Sequence, residues 1–162
     1  MFKKFILVLI LIFTFSTQIF AQFAGGSGTE ENPYKISTVE ELQEIRNHPN
    51  DYFIQTNNID ASVTENWNAG EGFIPIGDDV VKFSGSYEGN NFKISNLYIN
   101  LDQWYVGLFG RVEEGEIKNL FLEEVNIFGG NNTGALVGQN EASIIYNSRA
   151  SGSIEGRSGL EV

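Results

Sequence analysis

The sequence predicts an all-β fold and, within that class, a parallel β-helix: a solenoid in which each repeat makes one turn. Three observations predict it. After residue 51 the chain is a series of short apolar runs divided by Gly, Asn and Asp clusters, the pattern of brief strands joined by tight turns. Similar stretches recur as "ISNLYI" from Ile94, "IKNLFL" from Ile117 and "IYNSRA" from Ile145, at intervals of 23 and 28 residues. Such units bury an apolar face only by stacking on a neighbour, and they are shorter than the roughly 40 residues of a four-stranded propeller blade. Finally, "VGLFGRV" from Val106 returns as "GALVGQN" from Gly134. Corners between strands need backbone freedom or close approach, which Gly107, Gly110, Gly134 and Gly138 supply, and Leu108 and Leu136 then repeat as one core column.

The elements follow in order. Residues 1–21 read as a secretory signal peptide: Lys3 and Lys4 precede the apolar run Phe5 to Phe13, and small Ala21 marks the cleavage point. The run is too short for a membrane span, which needs about twenty apolar residues. Residues 22–32, "QFAGGSGTEEN", hold three glycines in four positions and then two acids, which predicts a flexible leader. The domain proper runs over 33–162. In "STVEELQEIRN", Thr38 and Glu41 form a capping-box pair, and Val39, Leu42 and Ile45 share one helical face. This predicts one short helix, stopped before Pro49, with its apolar face covering the amino-terminal end of the coil and blocking edge-to-edge association.

Strands are expected over Tyr52 to Gln55, Phe73 to Ile76, Phe92 to Ile94, Leu97 to Ile99, Val106 to Phe109, Ile117 to Leu122, Val125 to Phe128, Leu136 to Val137 and Ile144 to Tyr146. In the recurring units the two inward positions, Ile and Leu, stand three apart, which breaks the two-residue period of a straight strand. A bend at Asn96, Asn119 and Asn147 resolves this, because asparagine tolerates left-handed backbone angles. Stacked turns would bring these amides into a hydrogen-bonded column. Tyr98 and Phe121, with Arg149 beyond, form a second column facing outward, an aromatic stack capped by a cation.

Composition removes several function classes. The chain has no cysteine, so disulfides, thiolate metal sites and a cysteine nucleophile are excluded. Without Lys3 and Lys4 the acidic excess grows from 11 to about 13 charges, a surface that repels phosphate backbones and anionic membranes. Nucleic acid is not expected as a partner, nor is membrane insertion once the signal is removed.

With these elements in place the chain resembles the bacterial GLUG-repeat proteins, named for a Gly-Leu-x-Gly core. The core is matched by Gly107-Leu108-Phe109-Gly110 and, with alanine first, by Ala135-Leu136-Val137-Gly138. "GGSGTEENPYKISTVEELQEI", "NNIDAS", "FIPIG" and "FSGSYEGNNFKISNLYI" are similar to the lead-in that such exported proteins carry. The resemblance covers nearly all of residues 25–159. It implies a right-handed parallel β-helix, secreted or on the outer cell surface, acting as a stalk or adhesin-like interaction surface toward a protein or glycan. It brings no catalytic residues. Some relatives accompany zinc peptidases, but their paired histidines are missing here, His48 being the only histidine. "SGLEV", Ser158 to Val162, reads as the opening of a further repeat, so the sequence is expected to be truncated and to continue into more turns.

Candidate chemistry is weighed against this expectation. Glu123-Glu124, Asp78-Asp79 and Glu113-Glu114 are carboxylate pairs, but neighbours on a strand point to opposite faces, and glycoside hydrolysis needs two acids flanking one bond. They read as solvated surface, and no catalytic, cofactor or metal residue is assigned. The alternative is a polysaccharide lyase or hydrolase whose catalytic turns lie beyond Val162. No cofactor is expected; calcium is the one cation the acid excess leaves open, through "IGDDV" or "NNIDAS". Trp67, Trp104 and Tyr105 are candidate platforms for sugar rings or protein partners, with packing at the core or a corner as the plainer role. Asn131-Asn132-Thr133 is a glycosylation sequon, which suggests a surface loop.

Overall fold

The computed structural model describes residues 23–157. The signal peptide read at residues 1–21 and the further repeat read at Ser158 to Val162 lie outside the described residues. Among the described residues twelve strands and one short α-helix make an all-β fold. In order they are β1 (Tyr34–Ile36), α1 (Val39–Glu44), β2 (Tyr52–Gln55), β3 (Ile59–Asp60), β4 (Ser86–Glu88), β5 (Lys93–Ser95), β6 (Tyr98–Asn100), β7 (Phe109–Glu113), β8 (Glu116–Lys118), β9 (Phe121–Gly129), β10 (Val137–Glu141), β11 (Ile144–Tyr146) and β12 (Arg149–Gly156).

Every ladder between these strands is parallel. The first sheet runs β1-β2-β4-β8-β11, the second β3-β5-β9-β12 with β6 also beside β9, and the third is β7-β10. From β4 onward the chain visits first, second and third sheet in that rotation. Single bridges from Ile76 to Phe109 and from Phe83 to Val112 extend the third sheet beneath β7. The apolar side chains point between the sheets. Phe53, Tyr87 and Ile117 are register partners along the first sheet, Ile94 and Leu122 along the second, and all five are buried.

Aromatic rings fill the lower core. Phe53, Phe83 and Phe109 follow one another at 6.2 and 4.9 Å between centroids, and Tyr87 meets Phe109 edge-on at 5.7 Å. Rings of this size bury the most apolar area per residue, which lets strands of three to five residues form a core.

The helix forms for the local reasons its sequence suggests. The Thr38 hydroxyl accepts from the Glu41 amide at 3.2 Å, and the Glu41 carboxylate accepts from the Thr38 and Ser37 amides at 3.1 and 2.6 Å, satisfying donors that a helix start leaves open. Val39, Leu42 and Ile45 enter the core. The Gln43 amide group then clamps Ile74, donating to its carbonyl at 2.8 Å and accepting from its amide at 2.9 Å.

Three expectations need correction. Residues 23–32 are not a loose leader in their contacts: the Lys35 amide donates to Gly25, Tyr52 to Gly28, and Ser27 to Asn32, while Phe23 stacks on Tyr34 at 4.3 Å. Backbone bonds from β1 and β2 give this glycine-rich segment partners that its composition does not announce. The expectation for Gly107, Gly110, Gly134 and Gly138 holds in one of its two forms, since none of them is at a left-handed angle. They serve close approach: a Cβ on Gly138 would lie 2.7 Å from the Gly110 and Asn132 carbonyls, and one on Gly107 would lie 2.6 Å from that of Gly134. At the bends of the recurring units the left-handed position belongs to asparagine, with φ of 59° at Asn96, 52° at Asn119 and 46° at Asn147.

The second correction concerns register. Ile117 pairs with Ile145 and Leu108 lies one residue before the Phe109–Val137 partners, as the 28-residue interval requires. The 23-residue interval does not survive, because Ile94 pairs with Leu122. The same Ile-x-Asn bend is used at two places: within the second sheet at Asn96, between β5 and β6, and at the turn from first to second sheet at Asn119 and Asn147. The Asn147 amide accordingly donates to the Asn119 side chain, whereas Asn119 donates to Glu88 and Asn96 to Asp60. The outward column shifts likewise. Phe121 stands between Lys93 and Arg149, whose guanidinium lies 3.8 Å from its ring, and Tyr98 pairs with Asn126.

The last correction is one of strands. Phe73 to Ile76 contributes only an isolated bridge, while β4, β3 and β12 arise where glycine, serine and asparagine had suggested loops.

Candidate interaction site

The carboxylate pairs separate as the geometry of strands requires. Glu123 is bound to Lys93 at 2.9 Å. Its neighbour Glu124 has a φ of 55° and turns to the open side, beside Asn96 and Asn126. Glu113 meets Lys82 at 3.5 Å, and Glu114 is exposed with a φ of 57°. Asp78 folds back on its own turn, accepting from the Val80 and Val81 amides at 2.8 Å each, and Asp79 pairs with Arg111.

The two loops considered for a cation spend their oxygens in the same way. Asp60 of the "NNIDAS" segment accepts from the Ser62 amide and the Asn96 side chain. The Asn96 bond, first, and the Ser62 bonds hold its carboxyl below the usual carboxylate range. Among the described residues no three His, Asp or Glu side chains converge as a metal would require.

The aromatic candidates divide. Trp67 packs against the core, stacked on Phe73 at 6.5 Å. Trp104 is 60% exposed and meets Tyr105 edge-on at 6.1 Å. They sit on the segment 101–105, between β6 and β7, and this segment is fixed by its neighbour in the next pass of the chain. The Gly130 amide donates to the Gln103 carbonyl at 2.9 Å, and the Tyr105 amide donates to the Asn131 carbonyl at 3.1 Å. A Cβ on Gly130 would lie 2.7 Å from that Gln103 carbonyl, so here a glycine is needed for the two segments to touch. Tyr105 itself has a φ of 61°, a left-handed angle that a bulky residue adopts only when its surroundings dictate it.

Arg111 is the hub beneath this corner. Its guanidinium lies 5.0 Å from the Tyr105 ring centre, donates to Glu141 at 2.6 Å and pairs with Asp79. The Gln139 amide also donates to Glu141, at 2.7 Å. The bond to Glu141 is the main cause holding the Arg111 proton more tightly than usual. The result is a shallow depression of about 240 Å³ lined by Asp78, Asp79, Gln103, Trp104 and Tyr105. Sequence reading identified Trp104, Tyr105 and the two aspartates, but it did not connect them and did not single out Arg111 or Gln103. The connection depends on Asp79 and Arg111, 32 residues apart, meeting across the third sheet.

Fold and sequence together define an all-β repeat protein. Residues 129–155 match the family described as "The GLUG motif", so the chain carries a GLUG motif, over the segment that includes the second Gly-Leu-type core. The chain is 40% identical over 104 residues, 62% of its length, to a Gly-rich membrane protein of Evansella cellulosilytica. It is 37% identical over 138 residues, 81% of its length, to the halomucin of Haloquadratum walsbyi. It spans 12% of the first relative and 2% of the second. No solved structure matches it.

Proposed function

We propose that the chain is a non-catalytic repeat protein of the cell exterior, wound as a right-handed parallel β-helix and used as a stalk or adhesin-like interaction surface. The observation that carries this reading is the rotation of β4 to β12 through three parallel sheets in constant order. Strands stacked in that way present side chains of successive passes as fixed rows, which suits extended contact more than an enclosed reaction site. The names of the two relatives, a membrane protein and a halomucin, support an extracellular or surface location. Export follows from the signal peptide read at residues 1–21, and among the described residues no helix is long and apolar enough to cross a membrane. The engaged state of the carboxylate pairs favours contact over hydrolysis, since each pair sends one or both acids into ion pairs or turns.

The test has two arms. Intact cells expressing the epitope-tagged protein are treated with protease: loss of the tag signal without lysis is expected, and full protection overturns the location. A crystal structure of the purified chain reads the hand of the winding, and a left-handed or unwound path overturns the architecture.

A further inference from the structure

We propose that the corner around Trp104 binds neutral oligosaccharides, with the indole as the stacking platform for one sugar ring. Trp104 is the most exposed aromatic side chain among the described residues, and an indole left in water forgoes the burial that stabilises every other large ring of the core. It is nevertheless held on a rigid segment, bonded through Gln103 and Tyr105 to the 130–131 turn. Rigid presentation of a flat apolar face lowers the entropy lost on binding.

Polar groups line two depressions that share Trp104 and Gln103. One of about 240 Å³ carries Asp78 and Asp79; a smaller one, about 90 Å³, is lined by Asp102, Gly130, Asn131 and Arg157. A pyranose offers the same pattern in reverse, with C–H groups on its faces and hydroxyls around its edge. Asp78 and Asp79 are already aimed, one by the Val80 and Val81 amides and the other by Arg111, and a fixed carboxylate is a strong acceptor for a hydroxyl donor.

Charge selects among glycans. Around the indole stand Asp78, Asp79 and Asp102, with Arg157 as the one cation in the lining; Arg111 beneath is already paired with Asp79 and Glu141, and the chain carries a net charge of −11, so uronate or sulfated chains are repelled while neutral ones are not. The depressions are smaller than the roughly 300–1,000 Å³ of enclosed ligand pockets, which sets the expected affinity in the weak range. The inference deepens the surface reading and rests on it for access to extracellular glycans, but the site is tested in solution, independently of where the protein resides.

The full chain is titrated calorimetrically with neutral hexasaccharides of glucose, mannose, galactose and N-acetylglucosamine, and with polygalacturonate as the anionic probe. At least one neutral hexasaccharide is expected to bind and polygalacturonate is not. Trp104→Ala should weaken the binding roughly tenfold or more, as loss of a central aromatic anchor does, with Trp104→Phe intermediate. Tyr146→Ala removes another exposed ring, on β11, and should leave binding unchanged. Circular dichroism verifies that each variant folds. Absence of binding by all neutral probes at millimolar concentration, equal binding by Trp104→Ala, or preference for polygalacturonate overturns the proposal. Protection from protease on intact cells would instead overturn the surface reading alone.

Discussion

Replacing Tyr87 by phenylalanine removes one oxygen from the middle of the first sheet and leaves the ring in place. That hydroxyl donates to the Gln55 side-chain oxygen at 3.1 Å, and both residues are fully buried. The Gln55 nitrogen is already committed to the Asn57 and Lys93 carbonyls, at 2.9 and 3.1 Å, so the amide cannot turn to find another donor. Tyr87→Phe therefore strands a buried acceptor, which costs about 1–3 kcal/mol. For a domain of this size that is a fall in Tm of roughly 4 °C per kcal/mol.

A second signature distinguishes this cause from loose packing. Burial, first, and Glu88, second, push the Tyr87 phenol above its ordinary value of 10.0. The folded protein thus keeps Tyr87 neutral where the unfolded chain ionises it, and this contribution is complete below pH 10.0 and lost as pH rises above it. The variant has no such group to titrate. Chemical denaturation near neutral pH and again at about pH 11 should show Tyr87→Phe less stable than wild type in the first condition and closer to it in the second. Equal stability at neutral pH, or a gap that does not change with pH, would refute the buried bond.

Three further outcomes are expected. Gly138→Ala places a methyl group 2.7–2.8 Å from the Gly110 and Asn132 carbonyls and the Val106 amide, all backbone; the strain, about 1–3 kcal/mol or more, should appear in hydrogen exchange as faster opening of β10 than of β8. Thr38→Ala removes the helix cap and should cost about 1 kcal/mol, measurable as a shift in the urea midpoint. Glu116 is held below its ordinary 4.5, chiefly by its bond from Lys118 with a lesser one from Ser86, and Asp60 below 3.8 by Asn96 and Ser62. Both contributions are complete above pH 4.5 and lost as pH falls through the folded values, so melts from pH 7 to about pH 3 should be flat and then decline, less steeply in Glu116→Gln.

What the sequence discloses of this fold is what short-range chemistry determines. Thr38 and Glu41 are three residues apart and cap one helix; Asn119 and Asn147 reveal left-handed bends because few other residues adopt them; Ile117 and Ile145 share a register because the segments between the two passes are regular. Asn96 shows where that logic fails. Its flanking residues copy those of Asn119, yet its bend lies within a sheet, a distinction made by the partner strand β9 and not by the local sequence. "SGSYEG" around β4 fails for a related reason: serine and glycine mark a loop until Phe53 and Ile117 flank Tyr87 on both sides. At the corner site the aromatic residues were visible as residue types, but their exposure follows from the meeting of the 101–105 and 130–131 segments, which no spacing rule contains.

Phe23 gives the fold a definite lower margin. Its ring touches Tyr34, His48 and Phe53, with centroids 4.3, 5.3 and 5.7 Å away, so a recombinant fragment opened at Pro33 would retain every strand and still uncover a patch of aromatic surface. Trimming by host proteases in the glycine-rich stretch behind it would do the same. Such material would be soluble only at low concentration, and the remedy is to begin the expressed chain ahead of residue 23, not to alter the strands.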